Sequence, residues 1–209
     1  MAHGVYKQPA MLKNLTMSLA ALALVSSLAS CGKNKDGGGG GGDEAKAPTM
    51  TINEGDWVAK NLHDVAPLIN VTMKVPKDAK LEKNGNGGVD IRVNELYLLT
   101  VSQLAVSGIP EAIKSDKSLT VERKDSYINT KVLSEDPNGF VYTMQMKDEE
   151  NGTKYQPEVH FAYYLDKDGA IYSVLDQKPL DAWSTPGSVY SAEVANKVYA
   201  IVKASTKGN

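Results

Sequence analysis

Residues 155–176 read YQPEVHFAYYL, then DKDG, then AIYSVLD. Two runs, Tyr155–Leu165 and Ala170–Asp176, are rich in aromatic and β-branched residues, the side chains that fit a pleated, half-buried surface. Asp166-Lys167-Asp168-Gly169 stands between them, and an Asp-Gly pair supplies the positive φ angles that a tight hairpin turn needs. The stretch therefore predicts two antiparallel strands. Immediately upstream, Phe140, Tyr142, Met144 and Met146 alternate with Val141, Thr143, Gln145 and Lys147. Asp136-Pro137-Asn138-Gly139 is a tight turn and Tyr127–Leu133 a further strand, so the middle of the chain is a meander.

Further upstream, Gly108-Ile109-Pro110 opens a short helix through about Ser115, with Pro110 in a first turn that tolerates a missing N–H. In Leu96–Leu104, Tyr97, Leu99 and Val101 keep period two and favour a strand, with a buried helix as the alternative. Val89, Ile91 and Val93 alternate in another strand behind the turn Lys83–Gly88. Ile69, Val71, Met73 and Val75 form one ended by Pro76, and Val58, Leu62 and Val65 fit an amphipathic turn or helix ending at Pro67. Downstream, Gln177–Tyr190 reads as a loop bearing Pro179, Trp183, Pro186 and Gly187. Ser191 then caps a helix with Glu193 in its first turn and an apolar stripe of Val194, Val198, Ile201 and Val202. Lys203 and Lys207 lie toward its end. The order predicts an α+β fold: an antiparallel sheet with a short middle helix and a C-terminal helix packed on it.

In Val71-Thr72-Met73-Lys74-Val75-Pro76, in Ala112-Ile113-Lys114, in Asp136-Pro137-Asn138-Gly139-Phe140-Val141-Tyr142, in the long hairpin and in the last helix, the chain resembles the Mog1/PsbP-like family over roughly residues 68–205. That resemblance implies an accessory protein and carries no shared catalytic residues. A cystatin-like or cone-shaped α+β fold is the alternative.

The N-terminus carries a second pattern. An apolar run from Leu15 to Ala29 ends in Leu28-Ala29-Ser30-Cys31, and Cys31 is the only cysteine. The run is too short to span a bilayer comfortably, and small residues precede the cysteine as a cleavage site requires. This stretch resembles the lipobox of bacterial lipoproteins. The resemblance implies cleavage before Cys31, acylation of Cys31, and attachment to a membrane through that lipid. Two or three acyl chains, at about 0.8 kcal/mol per buried methylene, hold a protein to a membrane durably. Residues 1–30 would be the signal peptide, with either Met1 or Met11 as its start. Residues 31–50, with six glycines from Gly37 to Gly42, would be a tether reaching roughly 20–25 Å, and residues 51–209 one domain. By the same resemblance, Gly32 in place of a retaining Asp implies the outer membrane, and the lack of clustered acids in Gly32–Asp36 implies its periplasmic face rather than the cell surface.

Without residues 1–30 the chain holds 21 basic and 25 acidic residues, a net charge of −4. That balance argues against nucleic acid and against a basic membrane-binding patch. No Gly-x-Ser-x-Gly elbow occurs. His63 and His160 are the histidines of the mature part, too few for a His-based zinc site unless they meet in space. Glu158 and His160 share a strand face, which predicts a cross-strand ion pair or a half-exposed ladder position. Asp166–Gly169 lacks the further ligands of a calcium loop. Asp148-Glu149-Glu150 reads as a solvated loop, and the triplets at Asn70 and Asn151 read as coincidental. No cofactor is implied. A sheet with one wet face would leave at least one of Tyr163, Tyr164 and Tyr172 in solvent. Trp183 and Tyr190, on the loop before the last helix, are the candidate binding residues, because such loops carry binding and Trp is enriched at interface anchors. The leading expectation is a non-catalytic lipoprotein domain that binds or helps assemble another envelope protein. The alternatives are a carrier of a small or amphiphilic ligand and, behind it, a hydrolase.

Overall fold

A computed structural model describes residues 49–148, 152, 154–182 and 188–208. In chain order the strands and helices are β1 (Trp57–Asn61), β2 (Val71–Pro76), β3 (Lys80–Lys83), β4 (Val89–Arg92), β5 (Leu98–Leu104), α1 (Ile109–Leu119), β6 (Tyr127–Asp136), β7 (Gly139–Met146), β8 (Glu158–Lys167), β9 (Ala170–Gln177), α2 (Ala192–Ser205) and β10 (Lys207–Gly208). The fold is α+β. A seven-stranded sheet runs in the order β3-β4-β5-β9-β8-β7-β6 and a small sheet in the order β1-β2-β10. All neighbours are antiparallel.

Most pairings are local hairpins. The pairing of β5 with β9 is not: it sets Val101 opposite Val174 and joins two distant parts of the chain. The β8–β9 turn follows the sequence signal. Asp168 (φ 51) and Gly169 (φ 82) both take positive φ, and Lys167 pairs with Ala170 across them. That is a two-residue hairpin with the twist its strands need.

β8 shows how the sheet is covered. Phe161 and Tyr163 join the core that holds Val71, Met73 and Val75 of β2 with Val194, Val198, Ile201 and Val202 of α2. Ala162 and Tyr164 join a second core with Ala112 and Ile113 of α1, Phe140 and Ile171. The two helices thus lie on opposite faces. Tyr163, Tyr164 and Tyr172 are accordingly all buried, which corrects the expectation of a wet face here.

The C-terminal helix begins as predicted, with the Ser191 hydroxyl accepting from the Val194 N–H at 3.2 Å. Tyr199 and Lys203 reach from it to Asp136 Oδ2 at 2.7 and 2.8 Å, tying α2 to the β6–β7 turn. Gly139 is required there: a Cβ would collide with the Ala162 carbonyl. The expected amphipathic turn or helix at Val58–Val65 is instead β1 followed by the single 3₁₀ turn Leu62–Asp64. Asn61 Oδ1 caps that turn by accepting from the His63 N–H at 3.2 Å, while β1 finds its backbone partners on β2. β3 has no apolar alternation to announce it. It forms because β4 offers an edge, with Leu81 opposite Ile91.

Candidate functional site

The chemistry-bearing side chains gather where β8 and β9 part. Their ladder runs from the turn as far as Ala162–Leu175 and stops. One step beyond, Phe161 N–H donates to Asp176 Oδ1 at 2.9 Å, so a carboxylate replaces a main-chain carbonyl. Val159 N–H instead meets the Tyr190 carbonyl at 2.9 Å.

His160 sits in this opening. Its Nδ1 faces Asp176 Oδ1 at 3.3 Å and its Nε2 faces Glu158 Oε2 at 3.2 Å. Tyr97 donates its hydroxyl to Asp176 Oδ2 at 3.2 Å. The His160 and Asp176 residues are 5% and 6% exposed, so these groups act on one another with little screening. A neutral imidazole carries one N–H, and only the imidazolium donates to both carboxylates. Burial works against that charge. The attraction and bond of Asp176, then those of Glu158, outweigh it and lift the His160 pKa to about 9. Glu158 moves the other way: burial would raise it, but its bonds to His160 and Ser188 hold it below the usual range. Burial, the Asp176 charge and the hydrogen bond to it push the Tyr97 hydroxyl well up.

The rings line up in a row through the same opening, Tyr142 tilted against His160 and the others stacked. Tyr142 lies 5.9 Å from His160, His160 4.5 Å from Tyr190, and Tyr190 5.1 Å from Tyr97. Tyr142 belongs to the α1 core, Tyr97 and Tyr190 to the α2 core. The row therefore joins the two cores through the split in the sheet. Tyr190 completes its bonding by donating its hydroxyl to the Leu96 carbonyl at 3.1 Å.

Beside this cluster lies an open groove of about 380 Å³. Arg92, Leu98 and Gln177, a cross-strand row at the ends of β4, β5 and β9, form part of it. Lys178, Pro179, Leu180 and Asp181 form the opposite wall, and Glu82 and Asp90 flank it. Arg92 Nη2 donates to Asp181 Oδ1 at 2.9 Å and pins that wall to the sheet. Leu180 is 88% exposed on the rim, the most exposed of the large apolar side chains among the described residues. Met50 reaches the same end: Asn94, two residues past Arg92, donates its side-chain amide to Met50 Sδ at 3.3 Å.

The residues singled out from sequence divide as follows. Glu158 and His160 do meet as a pair, but His160 is buried rather than half-exposed. Tyr190, expected on an exposed binding loop, is a core residue at 4% exposure. The reason is the ring stack together with the pairing of its carbonyl on the free flank of β8. Trp183 and Cys31 lie outside the described residues. His63 stays on its own turn with no shared site with His160, and among the described residues no cluster of His, Cys, Asp and Glu has a metal-binding arrangement. Among them too, no helix is long and apolar enough to cross a membrane. The sequence reading missed Asp176, Tyr97, Arg92 and Leu180. Asp176 had a signal: it continues the inward alternation of Tyr172 and Val174, so it places an acid at a buried strand position.

No protein-family model matches the sequence, and a search of curated proteins finds no match.

Proposed function

We propose that this chain is a lipid-anchored protein of the bacterial envelope whose α+β domain binds, or helps assemble, another envelope protein without doing chemistry on it. The anchor is the lipid on Cys31, placed on the outer membrane's periplasmic face, and the body is of the Mog1/PsbP-like kind. The observation that carries the binding reading is Leu180. It stands 88% exposed on a wall that an ion pair holds in place over an open groove. A large apolar side chain presented on a braced rim suits a protein partner. The groove's charged walls and open mouth suit a macromolecular segment better than an enclosed small ligand. The His160 cluster is spent internally, its polar atoms bonded to one another rather than aimed at the groove.

Capture of envelope proteins by the full chain tests the reading. Leu180→Asp should lower recovery of the specific partner at least tenfold with the melting midpoint unchanged, and Trp183→Ala should act in the same direction. Undiminished capture by both variants contradicts it. The anchor has its own test. Cys31→Ser should move the protein from the detergent-extracted membrane fraction to the soluble or uncleaved pool, and a cleaved variant still bound at the wild-type level contradicts it.

A further inference from the structure

Both ends of the connection between β9 and α2 converge on His160. At the near end, Asp176 is two residues before Lys178, where the groove wall begins, and its Oδ1 takes the His160 Nδ1. At the far end, Ser188 bonds the Glu158 carboxylate, and Tyr190 stacks on the imidazole at 4.5 Å while its carbonyl takes the Val159 N–H. Here no ladder joins β8 to β9. Side chains around one ring hold the two segments together.

We propose that the His160 imidazolium is a clasp: it fixes the Lys178–Asp181 wall of the groove where that wall leaves β9, and removal of its proton or its ring loosens that wall. The reason is stoichiometric. Both ring nitrogens face carboxylate oxygens, and a ring with a single N–H leaves one of the two acids facing a lone pair. The charged groups that bear on the ring are Asp176 from β9 and Glu158 from β8; Tyr142 and Tyr190 set their rings against it, and the Tyr97 hydroxyl reaches it only through Asp176. Lys178 acts on Glu158 and Asp116 of α1 acts on Tyr142 at longer range. The cluster holds one cation between two acids, so loss of the proton leaves the buried Asp176 and the half-buried Glu158 without a cation between them. The raised affinity of His160 for its proton agrees with this arrangement. His160 is a positioning residue here. It rests on the binding reading only in its consequence for a partner, since the clasp itself is observable without one.

Nuclear magnetic resonance of the full chain, followed from neutral to alkaline pH, tests it. The His160 ring nitrogens report the proton directly, and the backbone amides of Lys178, Leu180, Asp181 and Tyr190 report the wall. Both ring nitrogens should carry protons at neutral pH. As the ring loses one near pH 9, the wall amides should shift with the same midpoint, while those of β6, distant from the cluster, stay put. In His160→Gln the wall amides should show no such step. A wild-type ring that titrates while the wall amides stay still overturns the proposal, as does a singly protonated ring at neutral pH. The wild-type titration decides the matter even where the variant fails to fold. Partner capture that fails despite a coupled titration counts against the binding reading alone.

Discussion

The β8–β9 hairpin has two unlike ends. At the turn end the backbone closes on itself. Lys167 pairs with Ala170, Asp168 and Gly169 supply positive φ, and Asp166 Oδ1 accepts from the Gly169 N–H at 3.1 Å. At the other end β8 and β9 part after Ala162–Leu175, and His160, Asp176, Glu158, Tyr97 and Tyr190 fill the opening. The first end is local, solvent-exposed and made of main chain. The second is buried and built from residues spread over almost a hundred positions. A hairpin can thus be closed by charge where its hydrogen-bond ladder gives out, and the charged closure carries the higher stakes.

Substitutions should separate the two ends by size of effect. Asp176→Ala removes the partner of a buried cation and strands the Phe161 N–H and the Tyr97 hydroxyl. It should cost about 3–5 kcal/mol in urea unfolding, and a loss below about 1 kcal/mol would break the comparison. Acidity should act on the same end with a definite sign. His160 has a folded pKa of about 9, above the ordinary 6.5, so its contribution is full below about 6.5 and fades as pH rises to about 9. Glu158 is held low, so its contribution is present above the ordinary carboxylate range and fades as pH falls through its folded value. Chemical unfolding followed across pH should therefore show a plateau that declines on both sides. At the turn end, Gly169→Ala meets no neighbouring atom but must hold φ 82. It should cost about 1 kcal/mol, independent of pH. Asp166→Ala loses one exposed hydrogen bond and should cost about 0.5 kcal/mol by the same assay.

What the sequence disclosed follows the same division. The turn end, the capped helix at Ser191 and the alternation in β2, β4 and β7 were legible because each is written in neighbouring residues. β1 was misread as a helical turn because Val58, Leu62 and Val65 match a helical spacing, while the partner that makes it a strand, β2, lies across a turn. Tyr163, Tyr164 and Tyr172 were misassigned because nothing in the hairpin reveals that helices cover both faces of the sheet. The Glu158–His160 pair was visible as a shared strand face, yet its burial depended on Asp176, Tyr97 and Tyr190. Tyr190 looked like a binding residue because loops before helices often carry them. Its stacking partners are what draw it into the core. Leu180 carried no distinguishing pattern, since the groove it borders is assembled from distant segments, with Arg92 meeting Asp181 across it.

Whether charge on His160 closes the end of the hairpin that the backbone leaves open is decided by a difference between two proteins. Stability of the wild type and of His160→Gln would be measured at about pH 6 and about pH 9.5, on either side of the ring's titration. The gap between the two proteins should be about 3 kcal/mol at the lower pH. It should shrink to a small fraction of that at the higher pH, as the wild type loses the charge the variant never had. A gap that stays constant across the two conditions would contradict the account and reduce His160 to a ring that packs.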